Sequence, residues 1–158
     1  MGEPDEVKES VSAVAAAEFD NDIYTNLSIS ARLRDIRMIG CEYFIKPEVF
    51  GALEDTSNMS FSGEPTAFHF DEDSGVMIGH YTWNVEIKLK RKKVLKLVSE
   101  YLIAYTGMSG FPEEYVRFYF EKVGRFATYP YFRAVFSFHS SSSGITLPPL
   151  PSLNERVD

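Results

Sequence analysis

Tyr81 to Tyr105 reads YTWNVEIKLKRKKVLKLVSEYLIAY, and the alternation within it decides the fold. Tyr81, Trp83, Val85, Ile87 and Leu89 fall on every second position, with Thr82, Asn84, Glu86, Lys88 and Lys90 between them. A two-residue period of this kind belongs to a β-strand with one wet face. The basic run Lys88, Lys90, Arg91, Lys92 and Lys93 contains a tight reversal, after which Val94 to Tyr105 makes a second strand. There Leu95, Leu97, Tyr101, Ile103 and Tyr105 share one side and Val98, Leu102 and Ala104 the other, so both faces call for cover, at least in part.

Upstream of this hairpin, Leu33 to Ile45 is apolar first at even positions (Ile36, Met38) and then at odd ones (Ile39, Cys41, Tyr43). A strand with a bulge near Gly40 explains the switch, and Pro47 ends it. Residues 51–65 read as a loop, Thr66 to Phe70 as a short strand stopping in Asp71, Glu72 and Asp73, and Gly75 as a turn. Pro4 and the acidic residues after it open a helix over 4–18. Downstream, Gly107 and Gly110 precede a change of period to about 3.6 residues. Pro112, Glu113 and Glu114 start one helix that Gly124 ends; Pro130 starts a second, stopped by four serines and Gly144. The segment ITLPPLPSL is too proline-rich for a helix and suits an extended chain lying across something. The expected fold is therefore α+β: an antiparallel sheet with two C-terminal helices packed on one side. Residues 1–28 are read as an N-terminal helical extension and 29–158 as the domain.

Composition narrows the function. The net charge is −7, and the basic residues cluster in one short run rather than a stripe, which argues against a nucleic-acid partner. The lone Cys41 permits no intrachain disulfide and no thiol-built zinc site, so a reducing, cytoplasmic setting is expected. An acidic N-terminus and the lack of a long apolar run argue against a signal peptide and membrane insertion. Thirteen Phe and nine Tyr bring the aromatic content to 15%, the first hint of a surface that binds apolar groups.

No constellation carries catalysis. His69 with Asp71, Glu72 and Asp73 contains metal-ligand types, but neighbouring strand residues point to opposite faces, so a solvated acidic turn is expected. His80 and His139 read as hydrogen-bonded structural histidines, and Cys41 has no local base or helix start to lower its pKa. Phosphate loops, dinucleotide fingerprints and nucleophile elbows are missing. The reading is of a protein that is not an enzyme and needs neither cofactor nor metal.

The stretch from Trp83 to Leu153 resembles the SecB family of export chaperones: a long hairpin, a Gly-flanked crossover, a helix, the segment TYPYFRAVFSFHSSSSG and then LPPLPSL. The particular matches are Tyr129, Pro130, Tyr131 and Arg133 at a helix start, then Gly144 and Leu147 to Leu150; CEYFIKPEVF resembles the family's first strand and loop. The resemblance implies a four-stranded antiparallel sheet and self-association to a dimer or tetramer. It also implies ATP-independent holding of unfolded polypeptides or preproteins and their delivery to the SecA motor. On the matched strands, Glu42 and Glu100 fall where the family's SecA-binding patch is acidic, whereas Met38 replaces an expected acid and the ending LNERVD lacks the family's motor-binding tail. A dedicated interaction module, or a toxin-antitoxin chaperone serving one partner, is the alternative.

A holdase needs apolar surface without strict shape, and aromatics supply area at low ordering cost. Phe118, Phe120, Phe126, Tyr129, Tyr131 and Phe132 crowd the junction between the two expected helices and are the candidate peptide-binding residues. The alternative for each is the core or a subunit interface, and Trp83 is assigned to the core.

Overall fold

The structure, a computed structural model, describes residues 19–51, 59–145, 147 and 150–153. The helix expected over 4–18 and the ending LNERVD lie outside the described residues, save Leu153. Helix α1 (Asn21–Ser30) leads into strand β1 (Arg32–Ile45), a short 3-10 turn (Pro47–Gly51), strands β2 (Met59–Asp71), β3 (Val76–Leu89) and β4 (Lys92–Thr106), and the long helix α2 (Glu113–Ser142). The four strands form one antiparallel sheet in the order β1-β4-β3-β2.

The hairpin that decides the fold is present as read. Met77, Tyr81, Trp83, Val85 and Ile87 of β3 are buried on the face where Leu95, Leu97, Tyr101, Ile103 and Tyr105 of β4 are buried. Lys90 closes the turn with φ of 60°. β1 slips register between Met38 and Gly40, so a bulge there reconciles the even and odd apolar positions; a second slip between Leu33 and Asp35 had no sequence signal.

Two expectations change. β2 begins at Met59, inside the stretch read as loop. Its Ser, Gly and Pro misled because β2 is an edge strand, where Pro65 sits at a bulge and removes no needed ladder donor. Gly63 is there for room: a Cβ would meet the Trp83 ring at 2.6 Å. Gly79 on β3 likewise seats Phe120, whose ring lies 2.5 Å from where a Cβ would stand.

The two expected C-terminal helices are one. Gly124 does not end α2; it is buried against the Phe120 ring. Pro130 lies inside the helix and withholds a hydrogen bond, at a cost of about 3 kcal/mol. Packing around it offsets this. Phe132 stacks on Trp83 at 5.4 Å with 13° between planes, and Tyr129 lies 5.0 Å from the same ring. Thr128 accepts the Trp83 indole N–H at 2.8 Å and donates to the Gly124 carbonyl at 2.7 Å. Burying each large aromatic is worth roughly 1.5–3 kcal/mol. Gly144, with φ of 73°, ends the helix by returning the Gly144 and Ile145 N–H groups to Ser141 and Ser140.

α1 docks on the start of α2 through an aromatic group: Phe19 stacks on Tyr115 at 4.9 Å, and the Asp20 N–H donates to the Tyr115 hydroxyl at 2.8 Å. Leu27 is fully buried, and residue 28 lies within this helix. Both helices lie on one side of the sheet. The other face carries Glu42, Lys96, Val98, Glu100 and Leu102, none of them buried.

Candidate functional site

Beyond α2, residues 150–153 of the tail return over the helix as a strap. Leu150 is fully buried, Leu147 and Leu153 pack on the core, and the Tyr129 hydroxyl donates to the Pro151 carbonyl. Burial pushes the Tyr129 hydroxyl up, with the Arg133 guanidinium opposing, so it stays a donor at neutral pH. Between strap and helix lies an open groove of about 520 Å³, within the range of pockets that take a ligand-sized group. Its walls are Phe126, Tyr129, Pro130 and Ala134 of α2 and Leu153 of the strap, with Arg133, Ser137 and Ser152 supplying polarity.

The spacing of these residues follows from the helix. Positions 126, 130, 133 and 137 form one stripe on α2, and Tyr129 bridges from that stripe to the core. Because Pro130 has no N–H, the Phe126 carbonyl loses its partner four residues on. The groove therefore combines an aromatic wall, a backbone acceptor without its helical donor, and a cation.

The structure divides the six candidate aromatics. Phe126 and Tyr129 line the groove together. Phe120 and Phe132 are fully buried against Gly79 and Trp83 and present no surface to a ligand. Phe118, 42% exposed, belongs to the α1 group with Phe19 and Tyr24. Tyr131, 51% exposed, looks toward β4, its ring 6.4 Å from that of Tyr101. Sequence spacing could not separate these because one continuous helix turns successive aromatics about 100° apart, and the expected break at the junction would have brought them together. Arg133 and Leu153 were named only within matched segments; the missing cue was that the strap returns over residues 126–137.

Glu42 and Glu100 both lie on the open sheet face, opposite Val98 and Gly40 of the neighbouring strands. Glu100 is paired with His80 Nδ1 at 2.9 Å. Met38 is not on that face. It pairs with Tyr101 and faces the helix side, because the bulge at residue 39 shifts the alternation. Leu33, Met38 and Ile39 are all exposed on β1.

Asp71 is held below the usual carboxylate range by the Ser74 hydroxyl and the Asp73 N–H, as a turn residue would be. Among the described residues, no three His, Cys, Asp or Glu gather as a metal site. Cys41 Sγ lies 3.7 Å from His139 Nε2, a base brought by the fold rather than the sequence, yet burial pushes the thiol up. His139 stacks on Tyr43 at 4.7 Å. Among the described residues, no helix is long and apolar enough to cross a membrane.

The sheet order, the long helix and the strap together define a SecB-like α+β fold. A solved structure that shares it is the SecB-like chaperone Rv1957 of Mycobacterium tuberculosis, in complex with a ChAD peptide from the Rv1956 HigA1 antitoxin. The TM-score is 0.64 at 19% identity, covering 86% of this chain and 99% of that one. No protein-family model and no curated protein matches the sequence.

Proposed function

We propose that the protein is an ATP-independent holdase that binds non-native polypeptide segments in the groove between α2 and the strap. The observation that carries this is the groove itself: Phe126, 38% exposed, and the half-buried Leu153 leave apolar area open beside polar groups, with the buried Tyr129 behind them. Such a surface suits ligands that share only buried-type side chains and free amides. The SecB-like fold supports the same reading, since Rv1957 was solved holding a peptide. The test is to dilute a chemically unfolded, aggregation-prone protein into the purified chain without nucleotide and follow light scattering. Suppression near equal concentrations is expected; none at any ratio sinks the reading.

Assembly of two or four chains and a cytoplasmic setting belong to this proposal. Phe138 of α2 is 69% exposed, and Leu33, Met38 and Ile39 of the edge strand β1 are exposed too; such apolar surface suits a second copy. Two receivers remain for the held client. SecA would meet Glu42 and Glu100 on the open face. A single dedicated partner, such as an antitoxin, is favoured by the mixed character of that face, where Glu100 is already engaged by His80 and is flanked along β4 by Val98 and Leu102. A pull-down with purified SecA, comparing the native chain with Glu42→Lys, separates them: retention lost in the variant supports SecA, and no retention by the native chain excludes it.

A further inference from the structure

We propose that the groove selects extended segments in which a carboxylate stands two residues from a bulky apolar side chain. This deepens the holdase reading and rests on it. Among the described residues lining the groove, Arg133 alone carries a charge. It is half-buried, and among the described residues no carboxylate forms an ion pair with it. A guanidinium between apolar walls is weakly hydrated and presents a planar fork that matches a carboxylate. Among the described residues, the groove thus holds a cation without a carboxylate partner where a ligand must pass.

Two further features fix the spacing. Phe126 and Arg133 are separated by seven residues, about 10 Å along the helix axis. Both side chains lean toward the N-terminus, and the longer, flexible arginine reaches further that way, which shortens the gap between the guanidinium and the Phe126 ring. An extended chain puts side chains i and i+2 on one face, roughly 6.6 Å apart, so an apolar residue against Phe126 places the carboxylate at the guanidinium. The Phe126 carbonyl, freed by Pro130, takes a backbone N–H of the same segment. The preference is opposite to that of the whole molecule, whose charge of −7 attracts basic segments at long range. Only a local cation can produce it.

The test uses the full chain and two labelled, unstructured peptides that differ in one residue, Phe-Ser-Glu against Phe-Ser-Gln in a Gly/Ser background, with Kd read by fluorescence anisotropy. The Glu peptide is expected to bind about twofold to fivefold more tightly. Salt should shrink that ratio. In Arg133→Gln the ratio should fall to one, whatever the absolute affinity of the two peptides, and Arg133→Lys should keep part of it. A ratio that persists in Arg133→Gln, or a native chain that binds both peptides equally, overturns the charge preference and leaves the holdase reading standing. Failure of the native chain to bind either peptide overturns the groove as the binding site as well.

Discussion

Phe126 and Phe132 are the same residue on the same helix, six positions apart, and the fold gives them opposite work. Phe132 is fully buried and stacked on Trp83, so Phe132→Ala removes buried area and leaves a cavity, with an expected loss of about 3–5 kcal/mol in a urea melt. Phe126 stands at the groove; Phe126→Ala should change stability by less than about 0.5 kcal/mol while raising the amount of chain needed to suppress client aggregation. Equal suppression by the variant would remove Phe126 from the site. Gly79 makes the complementary case. Gly79→Ala would drive a methyl into the Phe120 ring, and the resulting overpacking is expected to cost about 1–3 kcal/mol by the same melt.

At the scale of the element, α2 carries a proline that it would be more stable without. Pro130→Ala would return an N–H to the Phe126 carbonyl and remove the ring's clash with that turn, so the melting temperature should rise, by an amount corresponding to at most about 3 kcal/mol. The same change closes the acceptor at the groove and takes away part of its wall, so peptide affinity should fall. A variant that is both more stable and equally tight in the anisotropy assay would show that the proline has no part in binding. The edge strand β2 gives a second lesson about elements. Its Ser, Gly and Pro residues look like a loop in isolation because the requirements they meet come from neighbours: Trp83 needs the space at Gly63, and the outer edge does not need the N–H that Pro65 lacks.

At the scale of the whole molecule, the core is rich in buried phenols. Desolvation pushes the hydroxyls of Tyr81, Tyr101, Tyr105 and Tyr119 up from their ordinary value. A raised pKa means that the folded chain holds protons the unfolded chain releases above about pH 10. The stability they contribute is complete below that pH and is lost as pH rises toward the folded values. Alkaline titration should therefore show tyrosinate absorbance appearing together with the loss of secondary structure, and phenols ionising freely before unfolding would contradict it. Assembly is tested at this scale too. Phe138→Glu places a charge on the outer side of α2, and sedimentation should find a smaller species than the native chain forms.

Local alternation was enough to reveal the β3–β4 hairpin, the bulge in β1 and the α+β class, because side-chain period and turn chemistry are written in adjacent residues. That the tail does not continue the helix was legible for the same reason, since α2 ends at Ser142 before the proline-rich segment. The tertiary structure alone decided that α2 runs unbroken through Gly124 and Pro130, since burial against Trp83 outweighs a missing hydrogen bond that propensity counts in full. It alone sorted the six aromatics, because the direction of each depends on the helix phase across a junction that the sequence appeared to break. The groove exists only where residues 150–153 return over residues 126–137, and a contact between segments so placed leaves no periodic trace in either one.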